Sequence, residues 1–177
     1  MRTIVASRCT LEPQVAVHAR EMFNVLSDPA IYEFENEPPP SEEWLEKRYS
    51  LLESRCSADG TEQWLNWVVR LPRGQLAGYV QATVLGSGSS YVAYELASRH
   101  WRQGIGGSAV SAMLDELHSC YSVHRFVAVF KSANYRSAGL LRSLGFSVAS
   151  QAEAAEIDAE PDELVMVKSS GKARNAA

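Results

Sequence analysis

Residues 96–108 carry the sequence LASRHWRQGIGGS, and this stretch decides the fold. A strand pattern ends where it starts, and a helical pattern begins within its glycines. Glycines let successive backbone N–H groups converge on one point because no Cβ stands in the way. The helix amino terminus adds unpaired N–H groups and positive partial charge. The stretch therefore predicts an anion site suited to a pyrophosphate, with Arg102 placed to reinforce it.

Two familiar phosphate-binding motifs do not fit this turn. GIGGSA lacks the third glycine of the dinucleotide-binding fingerprint, and no acidic residue ends a suitable second strand. The P-loop fails as well, because no Gly-Lys-Ser/Thr closes the loop. A GxGG turn alone is more often a plain strand-to-helix junction. Its meaning therefore depends on the rest of the chain.

The segments on either side predict a mixed α/β domain. Strand patterns over residues 64–71, 76–85 and 91–97, joined by tight turns, indicate an antiparallel meander. The other predicted elements are a strand over 4–9, helices over 13–26 and 41–54, a helix over 106–120, a strand over 124–131, a helix over 134–144, an acidic loop over 149–163 and a strand over 164–168. We expect one domain over residues 1–168, with helices packed on a mostly antiparallel sheet. The small, polar stretch from Ser169 to Ala177 predicts a disordered tail.

Composition narrows the class of protein. The 177 residues are 46% hydrophobic and 21% charged, with a net charge of −4, which suits a single globular domain. This balance gives no support to a nucleic-acid binder. No apolar run approaches the roughly 18–20 residues of a membrane span, and the amino terminus lacks a signal core. Three cysteines without metal-site spacing favour a reduced, cytoplasmic protein with no metal centre.

A second motif supplies context for the glycine turn. Residues 131–146 read KSANYRSAGLLRSLGF. Together with the turn, this stretch resembles the GNAT acyltransferase superfamily, in which a (Arg/Gln)xxGxGly/Ala turn precedes Asn-x-x-(Ala/Ser) and Leu-Gly-Phe. Gly104 and Gly106 match the first motif, Asn134 and Ser137 the second, and residues 144–146 the third. The resemblance extends to about Lys168 and implies the GNAT fold.

The sequence resembles one branch of the superfamily more than the others. Trp101 stands at the usual Arg/Gln position, as in the bacterial ribosomal-protein N-terminal (alanine) acetyltransferases and related small-molecule enzymes. The segments LSDPAIYEF, GQLAGYVQ and AYELASRHW are also similar to that branch. The resemblance implies an N-acetyltransferase that uses acetyl-CoA and an amine acceptor, either a protein N-terminus or a small molecule.

The resemblance also implies a set of cofactor contacts. The predicted CoA-binding residues are Leu96, Ala97, Arg102, Gln103, Gly104, Ile105, Gly106, Gly107, Ser108, Asn134, Ser137 and Arg142. The turn would hold the pyrophosphate, while the backbone at the end of the preceding strand and Asn134 would hold the pantetheine arm. Plainer readings stay open: Asn134 as a helix N-cap, Ser108 and Ser137 as helical serines, and Arg142 as a solvated side chain.

The proton-transfer residues do not carry over from the family. Leu141 stands where many members have Tyr, and Val129 where some have Glu. We therefore expect Glu95 to act as the base, because it ends a strand beside the predicted thioester, and Ser137 to lie near the sulfur. His100 is a further candidate proton carrier. Glu33, Glu35 and Glu37 would attract a cationic acceptor.

Two other functions stay open at this point. The missing Tyr and Glu would suit a non-catalytic domain that binds acyl-CoA as a sensor. A dinucleotide binder would require a mostly parallel sheet, which the predicted meander disfavours. The oligomeric state also stays open, with a homodimer as a family-level expectation.

Overall fold

One mixed sheet organises the computed structural model, which describes residues 1–170. The strands are β1 (Ile4–Val5), β2 (Thr10–Pro13), β3 (Glu62–Arg70), β4 (Leu76–Leu85), β5 (Ser89–Leu96), β6 (Arg125–Lys131), β7 (Ser147–Val148) and β8 (Glu163–Ser169), in the spatial order β1-β2-β3-β4-β5-β6-β8-β7. Within the described chain only β5 and β6 pair in parallel. The predicted mostly antiparallel sheet is confirmed, and the mostly parallel sheet that a dinucleotide binder requires is excluded.

Helices cover both faces of the sheet. They are α1 (Ala19–Leu26), α2 (Glu42–Leu52), α3 (Ile105–Tyr121), α4 (Tyr135–Ser143) and α5 (Gln151–Glu156). The larger core lies between the sheet and helices α3 and α4, around Trp67 and Met113. A smaller core, around Met22 and Tyr49, lies under α1 and α2. Alternation of side chains along β3 supplies both cores, because Trp67 and Val69 enter the larger core and Val68 enters the smaller one.

The amino-terminal elements differ from the prediction. A single strand over residues 4–9 is wrong, because the chain turns back there and β1 pairs with β2. A helix from Pro13 is also wrong, since Pro13 is the last residue of β2 and α1 begins only at Ala19. The edge of β3 decides this, because hydrogen bonding to its free backbone groups outweighs local helix propensity over residues 10–13.

The acidic segment over residues 149–163 is not wholly a loop. Ser150 begins α5, where its Oγ accepts the Glu153 N–H at 3.3 Å and Glu153 Oε2 accepts the Ser150 N–H at 3.0 Å. This is the S-x-x-E capping box, a signal that the sequence carries. The predicted tail also starts too early, because β8 continues to Ser169 and the Ser170 N–H donates to the His124 carbonyl. The rest of that tail, residues 171–177, lies outside the described residues.

Other predictions match closely. Helix α2 begins where the Ser41 Oγ accepts the Trp44 N–H at 3.1 Å, and α4 follows the Asn134 cap. None of the helices described in residues 1–170 has the length and apolar content needed to cross a membrane.

Candidate active site

The two parallel strands diverge at the centre of the sheet. Strands β5 and β6 are paired only over Ser89–Tyr91 and Arg125–Val127, and beyond these residues they separate. A cleft of about 1150 Å³ opens into the gap, between α2, the segment of residues 27–41 that joins α1 to α2, and α4. Backbone groups on the inner edges of both strands are left without a strand partner. The cleft can therefore accept an extended ligand that pairs with them.

The glycine turn stands at one end of this gap. Gly104 caps α3 in the left-handed conformation, with φ of 73°. The first α-helical hydrogen bond runs from the Ser108 N–H to the Gly104 carbonyl at 3.1 Å. The N–H groups of Ile105, Gly106 and Gly107 precede it, so they have no partner inside the helix. These three residues line the cleft, so the donors of the predicted anion site stand at its edge.

The structure brings most of the predicted CoA-binding residues to the cleft. Those that line it are Leu96, Arg102, Gly104, Ile105, Gly106, Gly107, Asn134 and Ser137. Ala97, Gln103, Ser108 and Arg142 do not line it.

The hydrogen bonds of Ala97 and Gln103 explain why these two residues do not line the cleft. The Ala97 N–H donates to the Ala77 carbonyl at 2.9 Å, and its own carbonyl accepts the His100 N–H at 2.9 Å. The N–H is therefore engaged by β4 and the carbonyl by the following turn, so the structure does not place Ala97 among the free backbone groups. The Gln103 amide donates to the Arg99 carbonyl at 2.7 Å and closes the turn from outside. These two residues shape the turn without reaching the cleft.

Ser108 and Arg142, which are also predicted to contact CoA, lie outside the cleft. The Ser108 Oγ accepts the Arg8 N–H at 3.1 Å and lies 3.0 Å from the Ser7 Oγ, so it anchors the β1–β2 turn. Arg142 is exposed on the outer side of α4. Arg8, which sequence reasoning missed, instead lies against the glycine turn: its Nε is 3.1 Å from where a Gly104 Cβ would stand. No local motif marks Arg8, because only folding brings it there.

The end of β5 offers a short row of free backbone groups. Because the Ala97 N–H points back to β4, alternation along the strand turns the backbone of Leu96 and Tyr94 toward the gap. The Trp101 indole N–H already donates to the Leu96 carbonyl at 2.7 Å. The Leu96 N–H and the Tyr94 backbone groups are left for a ligand.

Asn134 serves as a helix cap and still faces the cleft. Its Oδ1 accepts the Ser137 N–H at 3.1 Å, which is the N-cap bond of α4. The amide Nδ2 is left for a ligand. The Ser137 carbonyl accepts a hydrogen bond from the Tyr94 hydroxyl at 3.4 Å, and burial raises the pKa of Tyr94 to about 12. Tyr94 thus ties β5 to α4 across the gap.

Glu95 occupies the floor of the cleft on the opposite face of β5. It stands directly across from Tyr79 on β4 and is partly buried. Burial raises the pKa of Glu95, and the nearby Glu35 adds to the rise. Hydrogen bonds from Tyr79 and Asn36 partly offset it. A carboxylate with a raised pKa is suited to accepting a proton near neutral pH.

The other proton-transfer positions are apolar or occupied. Leu141 is 1% exposed and belongs to the core. Val129 lines the cleft without a polar group. His100 accepts a hydrogen bond from the Arg99 Nε at 3.2 Å, and burial together with Arg99 lowers the pKa of His100. Among the positions predicted for proton transfer, Glu95 is the one that places a carboxylate in the cleft.

An arginine clasp closes one wall of the cleft. The Arg136 guanidinium lies 4.5 Å from the ring centre of Trp101 and 5.1 Å from that of Phe34, and it pairs with Glu33. Glu33 is thus engaged by the clasp, whereas Glu35 and Glu37 line the cleft as predicted. The clasp joins the 27–41 segment to α4 and the glycine turn.

Two further features of the region concern Trp44 and the arrangement of metal-ligating side chains. Trp44 is 49% exposed and lines the cleft, so it does not belong to the core. No group of three or more His, Cys, Asp or Glu side chains with metal-site geometry occurs in residues 1–170.

Diverging strands beside a glycine turn are the arrangement that the resemblance predicts for an acetyltransferase. The model of the acetyltransferase (GNAT) domain matches residues 8–147, and the chain belongs to this family. A comparison with curated protein sequences gave no match.

Solved structures share the fold over nearly the whole chain. RimL, a ribosomal L7/L12 α-N-protein acetyltransferase in complex with coenzyme A, has a TM-score of 0.77 and 17% identity, covering 94% of this chain and 97% of its own. The spermidine N-acetyltransferase of Vibrio cholerae, in complex with CoA and spermine, has a TM-score of 0.75 and 19% identity, covering 94% and 98%. The ribosomal-protein-S5-alanine acetyltransferase of Vibrio fischeri has a TM-score of 0.72 and 19% identity, covering 94% and 96%. At these identities the likeness concerns the fold.

Proposed function

We propose that this protein transfers the acetyl group of acetyl-CoA directly to a primary amine. The observation that carries the proposal is the gap between β5 and β6, which runs from the glycine turn to Glu95. The pyrophosphate would bind the N–H groups of Ile105, Gly106 and Gly107. The pantetheine arm would pair with the free backbone near Leu96. Family membership and the ligands of the structural relatives support acetyl-CoA as the donor.

The transfer needs two proton movements. Glu95 would take a proton from the acceptor ammonium, directly or through water, and leave a neutral amine. The amine nitrogen attacks the acetyl carbonyl carbon, and backbone donors stabilise the negative charge that develops on its oxygen. The C–S bond then breaks, and the proton that the attacking nitrogen loses passes to the CoA thiolate. The Ser137 hydroxyl, which lines the cleft, is our candidate relay, donating its proton to the sulfur and regaining one from the nitrogen.

The acceptor side favours a cation. Glu35 and Glu37 line the cleft, and the net charge of the chain is −4. These carboxylates would raise the local concentration of an ammonium group. Both a peptide N-terminus and a small-molecule amine fit this requirement.

We also propose a cytoplasmic location, as the sequence predicts, with neither nucleic acid nor membrane as a partner. A homodimer is the oligomeric state that the family resemblance implies.

A sensor that binds acyl-CoA without turnover is the second candidate. The buried Leu141 favours it, because this residue stands where many members of the family have a proton-transferring tyrosine. Calorimetry with acetyl-CoA, with NAD as the control ligand, tests binding. Release of CoA thiol in the presence of a panel of amines tests transfer. Turnover establishes the enzyme, tight binding without turnover of any amine establishes the sensor, and absence of binding by folded protein refutes both.

A further inference from the structure

The floor of the cleft beneath α2 contains polar side chains that are almost wholly buried. Gln14 is 3% exposed, Tyr49 is 4% exposed and Asn66 is 5% exposed, and all three line the cleft. Two of their atoms, the Gln14 Nε2 and the Tyr49 hydroxyl oxygen, are inaccessible and have no hydrogen-bond partner in residues 1–170. Buried donors without partners are rare because they cost free energy. Two of them in one cleft point to a ligand.

The backbone around Gln14 is held firmly in place. The Gln14 N–H donates to the Asn66 carbonyl at 2.9 Å, and the Gln14 carbonyl accepts a hydrogen bond from the Arg55 guanidinium. These bonds, made from β3 and from the end of α2, fix the residue at the cleft floor. The side-chain amide therefore stays in the cleft as a donor.

Tyr49 is held equally well and lies beside the proposed base. It projects from α2 into the smaller core. Burial raises the pKa of Tyr49, and the negative charge of Glu95 adds to the rise. The hydroxyl therefore keeps its proton at physiological pH and can donate it in a hydrogen bond. By contrast, the hydroxyl of Tyr32, in the same cleft, already donates to the Leu26 carbonyl at 2.8 Å.

We propose that the Gln14 amide and the Tyr49 hydroxyl form an oxygen-binding subsite that selects acceptors in which the reacting amine and a carbonyl group belong to one molecule. The proposal rests on the proposed function and names its acceptor class. An amide N–H can only donate, so the group that satisfies the Gln14 Nε2 must supply a lone pair, as a carbonyl oxygen does. The α-amine of a peptide or of an amino-acid amide carries such an oxygen close to the reacting nitrogen. An aliphatic diamine or polyamine has only ammonium donors and would leave Gln14 unsatisfied.

The subsite is tested by comparing kcat/KM for amines with and without a carbonyl group, in the wild type and in variants that keep the shape of the side chain. The variants are Gln14→Met and Tyr49→Phe, with Gln151→Met and Tyr91→Phe as controls outside the cleft. The acceptors are Ala-Ala amide, alanine amide and 1,4-diaminobutane, at fixed saturating acetyl-CoA. We expect kcat/KM of the wild type to favour the carbonyl-bearing amines. Each subsite variant should lower kcat/KM for those amines about tenfold, the size of one neutral hydrogen bond, and leave the diamine unchanged. The two amides separate a peptide from a free amino-acid derivative as the preferred source of the carbonyl.

Thermal unfolding separates a binding role from a structural one. Replacing a buried, unpartnered polar group by an apolar group of similar shape is neutral or stabilising. We therefore expect Tm of both subsite variants to equal or exceed that of the wild type. A lowered Tm, equal losses with amide and diamine, or a wild type that prefers the diamine would overturn the subsite.

The subsite can fail or stand independently of the catalytic proposal. If no amine releases CoA, the proposed transfer fails, and calorimetry with Ala-Ala amide then tests the subsite alone. Binding by the wild type that weakens in Gln14→Met and Tyr49→Phe supports it. Equal binding by all variants, or no binding by the wild type, overturns it.

Discussion

The Gly107→Glu variant tests whether the helix terminus binds the CoA pyrophosphate. Gly107 is the third residue of α3, and a Cβ at this position would meet no atom within 4 Å. The substitution therefore fits without a clash. A glutamate there replaces a poor helix former and is favoured by the helix dipole, together about 1 kcal/mol of added stability. Its carboxylate also stands where the anion is expected to bind.

The size of the binding defect follows from Coulomb's law. Two unit charges about 5 Å apart at an effective dielectric constant of about 20 repel by about 3 kcal/mol. Screening at physiological salt reduces this energy to about 2 kcal/mol. We therefore expect Kd for acetyl-CoA to rise about 30-fold in Gly107→Glu. Gly107→Gln has the same shape without the charge, so it should change Kd far less.

Calorimetry with acetyl-CoA and thermal unfolding measure the two effects on the same samples. The expected pattern is weaker binding in Gly107→Glu at an unchanged or higher Tm, with a defect that shrinks as salt is added. If the glutamate and glutamine variants bind equally well, the anion does not lie at this helix terminus. A lowered Tm in Gly107→Glu would refute the reasoning about space and dipole.

Two further predictions concern the floor and the wall of the cleft. Glu95→Gln should lower kcat at least tenfold with little change in acetyl-CoA binding. In the wild type, the acid limb of the pH–rate profile should lie above the ordinary glutamate pKa, because burial raises the pKa of Glu95. An acid limb at the ordinary glutamate pKa would contradict the role of Glu95 as the base. The same shift means that ionised Glu95 destabilises the fold as pH rises through its folded pKa, so Glu95→Gln should raise Tm more at pH 8 than at pH 4. Arg136→Gln removes the ion pair with Glu33 and the contact with Trp101, so amide hydrogen exchange should speed up in the 27–41 segment; unchanged exchange there would show that other contacts hold this wall.

Local patterns in the sequence determined most of the fold. The β-formers of residues 64–97 and the tight turns between them predict the meander of β3, β4 and β5, because each signal lies within a few residues. Ser41 and Asn134 mark the starts of α2 and α4 by the same logic. The glycine turn is also local, since converging N–H groups need only glycines and a helix start. These features explain why the family and the anion site could be predicted.

Only the tertiary structure decided which polar groups are free to act. Ala97 and Ser108 looked available in the sequence, yet residues from other elements occupy their hydrogen-bonding groups. Gln14 and Tyr49 looked ordinary, yet folding buries both in one cleft and leaves the Gln14 Nε2 and the Tyr49 hydroxyl without a partner among residues 1–170. Hydrogen-bond satisfaction depends on atoms that are distant in the chain, and no spacing rule encodes it. The sequence alone therefore determined where the glycine turn and the start of α3 stand, while the packing of α2 on the sheet decided which polar groups lie unpartnered in the cleft.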